Sequence, residues 1–252
     1  MEPVISLNCS SASECRSFTP TALVWQDVLA QAMTGELLAV MNYTSLAEMC
    51  DNPEEKADAL EHAAGEKGHA FRFASEGPKI GVEVSNNVKA LYWRRLREAF
   101  LRRVVDRDFI GCLIVQEIML ESFAVASYKR AGKAAPGSLG QTFAAIAAEE
   151  EEHVDHALAI LRAERALDQQ RFDDKVHRLH LEVMTTLAEM LARQCQYHCE
   201  VCHGDCVKPS LPDVSLSTAE LRGASLQQYL KALDALGLPG DVTLQWVAQL
   251  PV

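Results

Sequence analysis

The sequence has no excess of positive charge and no long uninterrupted apolar run, and each absence excludes a class of partner. Its formal net charge of -11 argues against nucleic acid, because binding to phosphates requires a positive surface. The longest apolar stretch, around residues 109–120, is interrupted by Gln116 and Glu117, so no segment reaches the length of a membrane span. With 48% apolar residues, the chain nevertheless has the composition of a globular protein.

The first residues, Met-Glu-Pro-Val, lack the basic start and the apolar stretch of a secretory signal. We therefore expect a cytoplasmic protein. A disulfide framework is then not expected from the eight cysteines, because such frameworks belong to oxidising compartments. The cysteines are Cys9, Cys15, Cys50, Cys112, Cys195, Cys199, Cys202 and Cys206.

Apolar residues recur at helical spacing over most of the chain, and no stretch alternates like a strand between hairpin turns. The predicted fold class is therefore all-α. Helix starts are marked by Thr19-Pro20, and by two capping boxes, Asn52-Pro53 with Glu55 and Ser217 with Glu220. The predicted helices cover about 19–50, 53–76, 88–105, 109–131, 141–167, 170–196, 217–237 and 241–250.

The length of 252 residues is sufficient for one large domain with a sizeable core. We predict a single domain over 1–252. Within it we expect an irregular N-terminal arm at 1–18 and a Cys-rich turn and linker at 195–212.

Six polar residues lie on the apolar faces of four predicted helices, where a charge needs a compensating partner. Two helices carry a single glutamate, and the helix after each carries a Glu-x-x-His pair, whose members point the same way. The separations nearly repeat, since Glu36 precedes Glu66 by 30 residues and Glu121 precedes Glu150 by 29. The six residues are Glu36, Glu66, His69, Glu121, Glu150 and His153.

This pattern predicts two metal ions inside a four-helix core with additional helices, the arrangement of ferritin-like dimetal carboxylate proteins. Two divalent cations would neutralise four inward carboxylates, and one imidazole for each ion suits iron-like metals. We expect the single glutamates to bridge the ions or to change their binding mode. The alternative is a plain bundle with solvated acidic faces, and neighbours such as Trp25, Leu29 and Phe73 argue against it.

Other polar residues near this pattern have less defined roles. Glu117 precedes Glu121 by one turn and is interpreted as a supporting residue or a further ligand. Glu149 and His156 could each orient a ligand, although partial exposure is the simpler interpretation. The remaining acids of the 149–155 run, Glu151, Glu152 and Asp155, are expected to face solvent.

The helix over 88–105 is strongly basic. Its arginines are interpreted as the solvated face of an outer helix, with a partner surface as the alternative. They are Arg94, Arg95, Arg97, Arg102 and Arg103.

Four segments around the predicted ligands resemble the cyanobacterial aldehyde-deformylating oxygenase family, also known as fatty aldehyde decarbonylase. The resemblance extends over nearly the whole chain from about Leu23 to the closing helices around Gly237. The segments are Gly35-Glu36 through Asn42-Tyr43, Glu66 to His69 with Phe73, Gln116 to Glu121 with Phe123 and Tyr128, and Glu150 to His153.

This resemblance implies a ferritin-like fold with a non-haem di-iron centre and a hydrophobic channel leading to it. Manganese or a mixed iron–manganese pair is the alternative metal content. The implied reaction converts a fatty aldehyde to an alkane one carbon shorter plus formate. It consumes O2 and electrons from an external donor, a ferredoxin-like protein or a flavin reductase. By motif, the six residues above are the implied ligands, and Gln116 and Tyr128 match positions near the family's site, where we assign them catalytic roles.

Two features depart from the family. Glu76 aligns with a cysteine of the family and would place an acid in the channel lining, which leaves the substrate open. The second departure is a cluster of four cysteines interleaved with His198 and His203. Zinc, an iron–sulfur cluster that relays electrons, and free or disulfide-linked thiols are the alternatives for it. The cluster consists of Cys195, Cys199, Cys202 and Cys206.

The leading functional prediction is an O2-activating di-iron oxygenase, with aldehyde deformylation as the reaction that the family implies. The first alternative is hydroxylation or N-oxygenation of a different small metabolite, favoured by Glu76. Ferritin-like metal handling without an organic substrate is the second, and a metal-free helical binding module is the third. For the enzyme we expect a small, apolar or amphiphilic substrate.

Overall fold

The structure is a computed structural model that describes residues 20–192 and 207–251. Its regular structure within these ranges is entirely helical, which confirms the predicted all-α class. The helices are α1 (Pro20–Met49), α2 (Pro53–Glu76), α3 (Leu91–Val105), α4 (Phe109–Ala134), α5 (Gly137–Leu167), α6 (Gln169–Ala192), α7 (Thr218–Ala235) and α8 (Gly240–Ala248), with 3-10 turns at Gly77–Ile80 and Lys208–Val214.

The start of α2 uses Asn52 and Pro53 as predicted, although Asn52 bonds to Glu54 rather than to Glu55 of the predicted capping box. The Asn52 side chain accepts a hydrogen bond of 2.9 Å from the backbone N–H of Glu54, and Pro53 occupies the first helical position. The helix ends before Gly77, where a Cβ atom would lie 2.3 Å from Cγ2 of Val84. Only glycine therefore allows the chain to turn here against the following segment.

Two local predictions are wrong. The inner face that the sequence predicts for α2 includes Leu60 with Ala63 and Phe73, but Leu60 is 50% exposed and Ala59 is buried in its place. Ser217 is the N-cap residue of α7 but makes no side-chain capping bond. The predicted capping box does not form because the Glu220 carboxylate accepts a hydrogen bond from Arg130 on α4 instead.

Helices α4 and α6 are each interrupted by a π-helical segment, Ile114–Glu121 and His180–Met184. In such a segment residues five apart share a face, and π-helical turns occur frequently at functional sites. Within the described ranges, α4 is also the one helix long and apolar enough to cross a membrane. Most of its apolar window, 72%, is buried inside the protein, as in the central helix of a bundle.

The core of the bundle consists of two apolar clusters, and the predicted acids lie at the boundary between them on all four central helices. On α1, one cluster contains Leu29 and the other Leu38. On α5, the same two clusters contain Phe143 and Val154. The acidic layer, formed by Glu36, Glu66, Glu121 and Glu150, therefore crosses the bundle between the two apolar clusters.

The basic helix α3 lies against α1 and α6, and most of its arginines form ion pairs at the surface. Arg95 pairs with Glu189, and Arg102 pairs with Glu182, both on α6. Arg97 departs from the predicted solvated face, because it donates hydrogen bonds into the bundle. The assignment of the whole chain to one domain remains a prediction, and the arm at 1–18 lies outside the described residues.

Candidate metal centre

The six predicted ligands converge from α1, α2, α4 and α5 into two groups of four. In each group the potential ligand atoms all lie within 4.8 Å of one another. The first group contains Glu36, Glu66, His69 and Glu150, and the second contains Glu66, Glu121, Glu150 and His153.

The members common to both groups are Glu66 and Glu150, which come from the two Glu-x-x-His pairs. Each single glutamate belongs to one group only, Glu36 with His69 and Glu121 with His153. The expectation that the single glutamates bridge two ions is therefore not supported by the geometry. The reason is that Glu66 and Glu150, on facing helices, both point into the middle of the layer.

The π-helical segment of α4 brings Gln116 onto the same side as Glu121. The Gln116 side-chain amide donates a hydrogen bond of 2.6 Å to Oε1 of Glu121, five residues further along. Glu117 is 2% exposed and accepts a hydrogen bond from the Tyr43 hydroxyl. Since Glu117 belongs to neither ligand group, the geometry favours its interpretation as a supporting residue.

His69 is oriented by Glu149, which the sequence identified as a candidate. Glu149 is in turn held by Arg72, which the sequence did not identify. Nε2 of His69 lies 2.8 Å from a carboxylate oxygen of Glu149, and because a carboxylate can only accept, the ring donates here. Arg72 holds that carboxylate with a hydrogen bond of 2.9 Å. Nδ1 of His69 consequently faces the acids, 3.1 Å from Glu36 and 2.8 Å from Glu150.

His153 also presents Nδ1 to the acids, 3.0 Å from Glu150 and 3.4 Å from Glu66. His156 contacts no candidate ligand. It is exposed and stacks on His62, whose ring also meets His153 edge-on. The simpler interpretation of His156, partial exposure, is thus the one that the structure favours.

The buried acids repel one another strongly. Burial first, and then the charge of Glu150, raise the pKa of both Glu36 and Glu121 well above the ordinary value. Burial likewise raises the pKa of Glu117 to about 8. Glu66 is the exception, because its contacts with His153 and His69 outweigh burial and lower its pKa to about 2.

The pKa values of the two histidines are raised as well. Burial opposes their protonation, but contacts with Glu150, Glu36 and Glu66 outweigh it and raise the pKa of His69 far above its ordinary value. Contacts with Glu150 and Glu66 in the same way raise the pKa of His153 to about 10. The cluster therefore retains protons where divalent cations would otherwise supply the compensating charge.

The cluster fits a pair of metal ions by its chemistry. Both carboxylate oxygens of Glu66 are buried without a hydrogen-bond donor of normal geometry, and ring nitrogens at 3.3 and 3.4 Å are the nearest basic groups. The four carboxylates are at most 4% exposed. In the described part of the chain, their recorded ion pairs involve histidine but neither lysine nor arginine. Carboxylate oxygens with one imidazole per group suit iron or manganese.

A chain of hydrogen bonds leads from the surface to Glu121. The Arg97 guanidinium donates to Oδ1 of Asn42 at 2.7 Å, and the Asn42 amide donates to Oε1 of Gln116 at 2.6 Å. Gln116 then donates to Glu121. Sequence reasoning missed Arg97 and Asn42 as parts of the site, since nothing in their spacing links residues 55 positions apart.

The acids open onto a cavity of about 170 Å³, and most of its wall is apolar. Glu36, Glu66 and Glu121 reach the wall together with Gln116 and Tyr128, the two residues predicted to be catalytic. The Tyr128 hydroxyl donates a hydrogen bond to Glu36. Apolar wall residues include Leu38, Phe123, Phe143, Leu187, Leu191 and Leu221.

Glu76 does not line this cavity, contrary to the prediction. It is buried at the end of α2, where its carboxylate accepts hydrogen bonds from Lys79 at 2.7 Å, Ser138 at 2.7 Å and Thr142 at 3.1 Å. Burial opposes its ionisation, but these three donors outweigh it and lower the pKa. Glu76 therefore ties α2 to α5 and imposes no constraint on what enters the cavity.

Two of the cysteines, Cys50 and Cys112, are described, and both are buried free thiols. The predicted second metal site lies outside the described residues. It consists of Cys195, Cys199, Cys202 and Cys206.

A helical bundle with a central π-helical segment and two Glu-x-x-His pairs facing two single glutamates has the architecture of the ferritin-like dimetal carboxylate proteins. Over residues 24–192 the chain matches the family model described as long-chain fatty aldehyde decarbonylase. The chain belongs to this family, which confirms the resemblance seen in the sequence.

Among solved structures, the chain is similar to protein 19 with aldehyde deformylating oxidase activity from Synechococcus. The two are 21% identical, with a TM-score of 0.74, over 95% of this chain and 98% of the other. At this identity the likeness establishes the ferritin-like fold.

Proposed function

We propose that the chain is an O2-activating non-haem di-iron oxygenase that deformylates aldehydes to the alkane one carbon shorter plus formate. The observation that carries the proposal is that three of the candidate ligands, Glu36, Glu66 and Glu121, lie on the wall of an apolar cavity. A metal-storage protein needs no such cavity, whereas an enzyme for an apolar or amphiphilic substrate does. Membership of the decarbonylase family supports the same choice.

We further propose that Glu36, Glu66, His69 and Glu150 hold one ion, and that Glu66, Glu121, Glu150 and His153 hold the other. When bound, a pair of redox-active ions supplies the activation of O2 with electrons from an external donor, a ferredoxin-like protein or a flavin reductase. Iron is the metal proposed, with manganese or a mixed pair as the alternative.

The protein's own residues would bind and orient the substrate and handle protons. The apolar wall holds the chain of the aldehyde and excludes water from the acids. The Tyr128 O–H is hydrogen-bonded to Glu36 on the cavity wall, which makes it the proton-bearing group next to the substrate space. Gln116 fixes the rotamer of Glu121 through its 2.6 Å hydrogen bond. These are the catalytic and positioning roles that we propose for the two residues.

The test compares two double variants on the same helix. Glu150→Ala with His153→Ala removes one ligand of each type, whereas Glu152→Ala with Asp155→Ala changes exposed residues nearby. After anaerobic loading with iron, we expect about two ions per chain in wild type and control, from the ligand count. The ligand variant should hold neither ion firmly. Two firmly bound ions in that variant would overturn the assignment.

The reaction itself is tested by exposing the iron-loaded protein to O2, a reductant and aldehydes, with alkane and formate as the measured products. Production of both, in wild type and control but not in the ligand variant, supports deformylation. Absence of alkane and formate with every aldehyde would instead favour the alternative, hydroxylation or N-oxygenation of a different small metabolite. We also propose a cytoplasmic location, where such soluble electron donors occur.

The cysteine cluster is a separate proposal, a second metal site that is structural or relays electrons. Replacing Cys195, Cys199, Cys202 and Cys206 by serine should then lower the total metal content without loss of the two iron ions. An unchanged metal content would show that these thiols bind no metal.

A further inference from the structure

The candidate ligands are not equally shielded from solvent. The four carboxylates are at most 4% exposed, and the His69 side chain is 2% exposed. The His153 side chain, in contrast, is 17% exposed. Because electron transfer becomes slower as the distance grows, an external donor would reach a bound ion most readily at the surface above His153.

Two further histidines, neither of them a candidate ligand, extend from His153 to the surface. The His62 ring meets the His153 ring edge-on, with the ring centroids 4.6 Å apart. The His156 ring stacks on His62 at 5.9 Å, with 16° between the ring planes. His62 is half-buried and His156 is exposed. Three rings in contact therefore connect a candidate ligand with solvent.

Packing fixes the orientation of the His62 ring. The buried Tyr43 ring stacks on it nearly in parallel, at 15° and with the ring centroids 5.0 Å apart. The Tyr43 hydroxyl is itself bound, since it donates a hydrogen bond to Glu117. Stacked and edge-on contacts are the favourable arrangements of aromatic rings. His62 is therefore a fixed link between His153 and His156.

The surface around these rings is acidic. Residues four or seven positions apart share a helix face, so Glu55 and Asp58 lie on the side of His62. Glu152 likewise lies on the side of His156. All three acids are exposed, and none is recorded in a salt bridge within the described part of the chain. A positively charged contact surface would complement this face, whereas a negative one would be repelled.

We propose that the surface formed by His62, His153 and His156, the histidine face, is where an external one-electron donor with a positively charged contact surface docks. Each transfer oxidises the donor by one electron and reduces a bound ion by one electron, and no bond forms or breaks. The inference rests on the proposed function for the need of an external donor. His62 is then a positioning residue that keeps the three rings in contact.

The test measures the reduction of the iron-loaded, oxidised protein without O2 and without aldehyde. Two viologen radicals of similar potential serve as donors, the dimethyl form, which is a cation, and the bis(sulfonatopropyl) form, which is an anion. At low ionic strength the cation should reduce wild type about tenfold faster, and this ratio should fall as salt screens the acids. Loss of the ferric absorption gives the two rates.

Two double variants of equal charge change locate the attraction. Asp58→Asn with Glu152→Gln removes two acids of the histidine face and should lower the ratio of the two rates about threefold. Asp234→Asn with Asp241→Asn changes exposed acids on α7 and α8 and should leave the ratio nearly unchanged. Equal ratios in the two double variants would overturn the docking face, because the attraction would then come from the net charge of the whole protein.

The role of His62 is tested by removing and retaining a ring at this position. His62→Leu should lose most of the rate with both viologens, whereas His62→Phe should keep it, because the aromatic contacts with His153 and His156 remain possible. Metal analysis checks that both variants hold two ions. Wild-type rates in the leucine variant would overturn the role of His62. The charge variants decide the docking face whether or not this variant folds.

Neither substrate nor product enters this measurement, which separates the inference from the proposed function. Charge-selective reduction through the histidine face in a protein that forms no alkane or formate would support the face and contradict deformylation. Deformylation in a protein whose two double variants show equal ratios would have the reverse meaning.

Discussion

Gln116 donates a hydrogen bond of 2.6 Å to Glu121, the residue five positions further along the same helix. In a regular α-helix these two side chains would point in clearly different directions, and the π-helical segment Ile114–Glu121 brings them together. The bond is the last in a relay from Arg97 through Asn42, in which every donor points toward the carboxylate. The orientation of a candidate metal ligand thus depends on a local departure from α-helical geometry.

Replacing Gln116 by leucine should weaken metal binding without removing a ligand. Glu121 loses its donor and the Asn42 amide loses its acceptor, and loss of such an orienting partner costs about 10–100-fold in metal affinity. The measurement is a competition titration with a chelator, followed by metal analysis. Ser45→Ala is the matched control, because Ser45 accepts a hydrogen bond from Arg97 at 2.7 Å but lies outside the relay to Glu121. Equal affinities in both variants would contradict the orienting role.

Glu149→Gln should have a related effect through His69. The carboxylate accepts the Nε2–H of the imidazole at 2.8 Å and so directs Nδ1 toward the acids, whereas an amide could present its NH2 group and reverse the ring's preference. We expect affinity for one of the two ions to fall about tenfold or more, with little change in thermal stability, since exposed pairs contribute little. Glu151→Gln, two positions further along and paired with Lys129, serves as control. Retention of full affinity for both ions would exclude this orienting role.

Asp27→Asn should change how stability depends on pH. The folded protein holds the pKa of Asp27 near 7, above the ordinary value of 3.8, so it binds more protons than the unfolded chain between these values. Stability from this group is therefore complete below about pH 4 and is lost as the pH rises to about 7. The asparagine variant, which cannot ionise, should become more stable than wild type over that window, by at most about 4 kcal/mol at pH 8.

The measurement is urea unfolding of wild type and variant at a series of pH values. Asp241→Asn, at an exposed site, should differ from wild type by a constant amount. A free-energy difference for Asp27→Asn that does not grow between pH 4 and 7 would show that the carboxyl is not held in its neutral form.

Glu76→Cys introduces the residue that the sequence resemblance to the family implies for this position. It removes the acceptor of three hydrogen bonds and should destabilise the fold by about 1–3 kcal/mol, because Ser138 and Thr142 lose their partner. Substrate selectivity should not change, since Glu76 lies outside the cavity wall. Thermal unfolding and a comparison of kcat/KM across aldehydes measure the two effects. A changed selectivity with unchanged stability would indicate that Glu76 lines the substrate channel, as the sequence resemblance implied.

The sequence by itself determined the all-α class and the six convergent ligand candidates. Helical periodicity is local, and two residues three apart on a helix point the same way in any fold, so Glu66 with His69 and Glu150 with His153 could be found without a structure. The repeated spacing to Glu36 and Glu121 then related the two pairs to one another.

Only the tertiary structure decided which acids lie between the two ligand groups and which neighbours hold them. Glu66 and Glu150 take the shared positions because their helices face each other, and that arrangement is not encoded in any local spacing. The π-helical turn of α4, the contact of Arg97 with Asn42, and the hydrogen bond from Trp93 to Gln31 likewise depend on packing between distant segments. Glu76 is a further example, since the resemblance to the family implied a place in the channel and the structure packs it against α5.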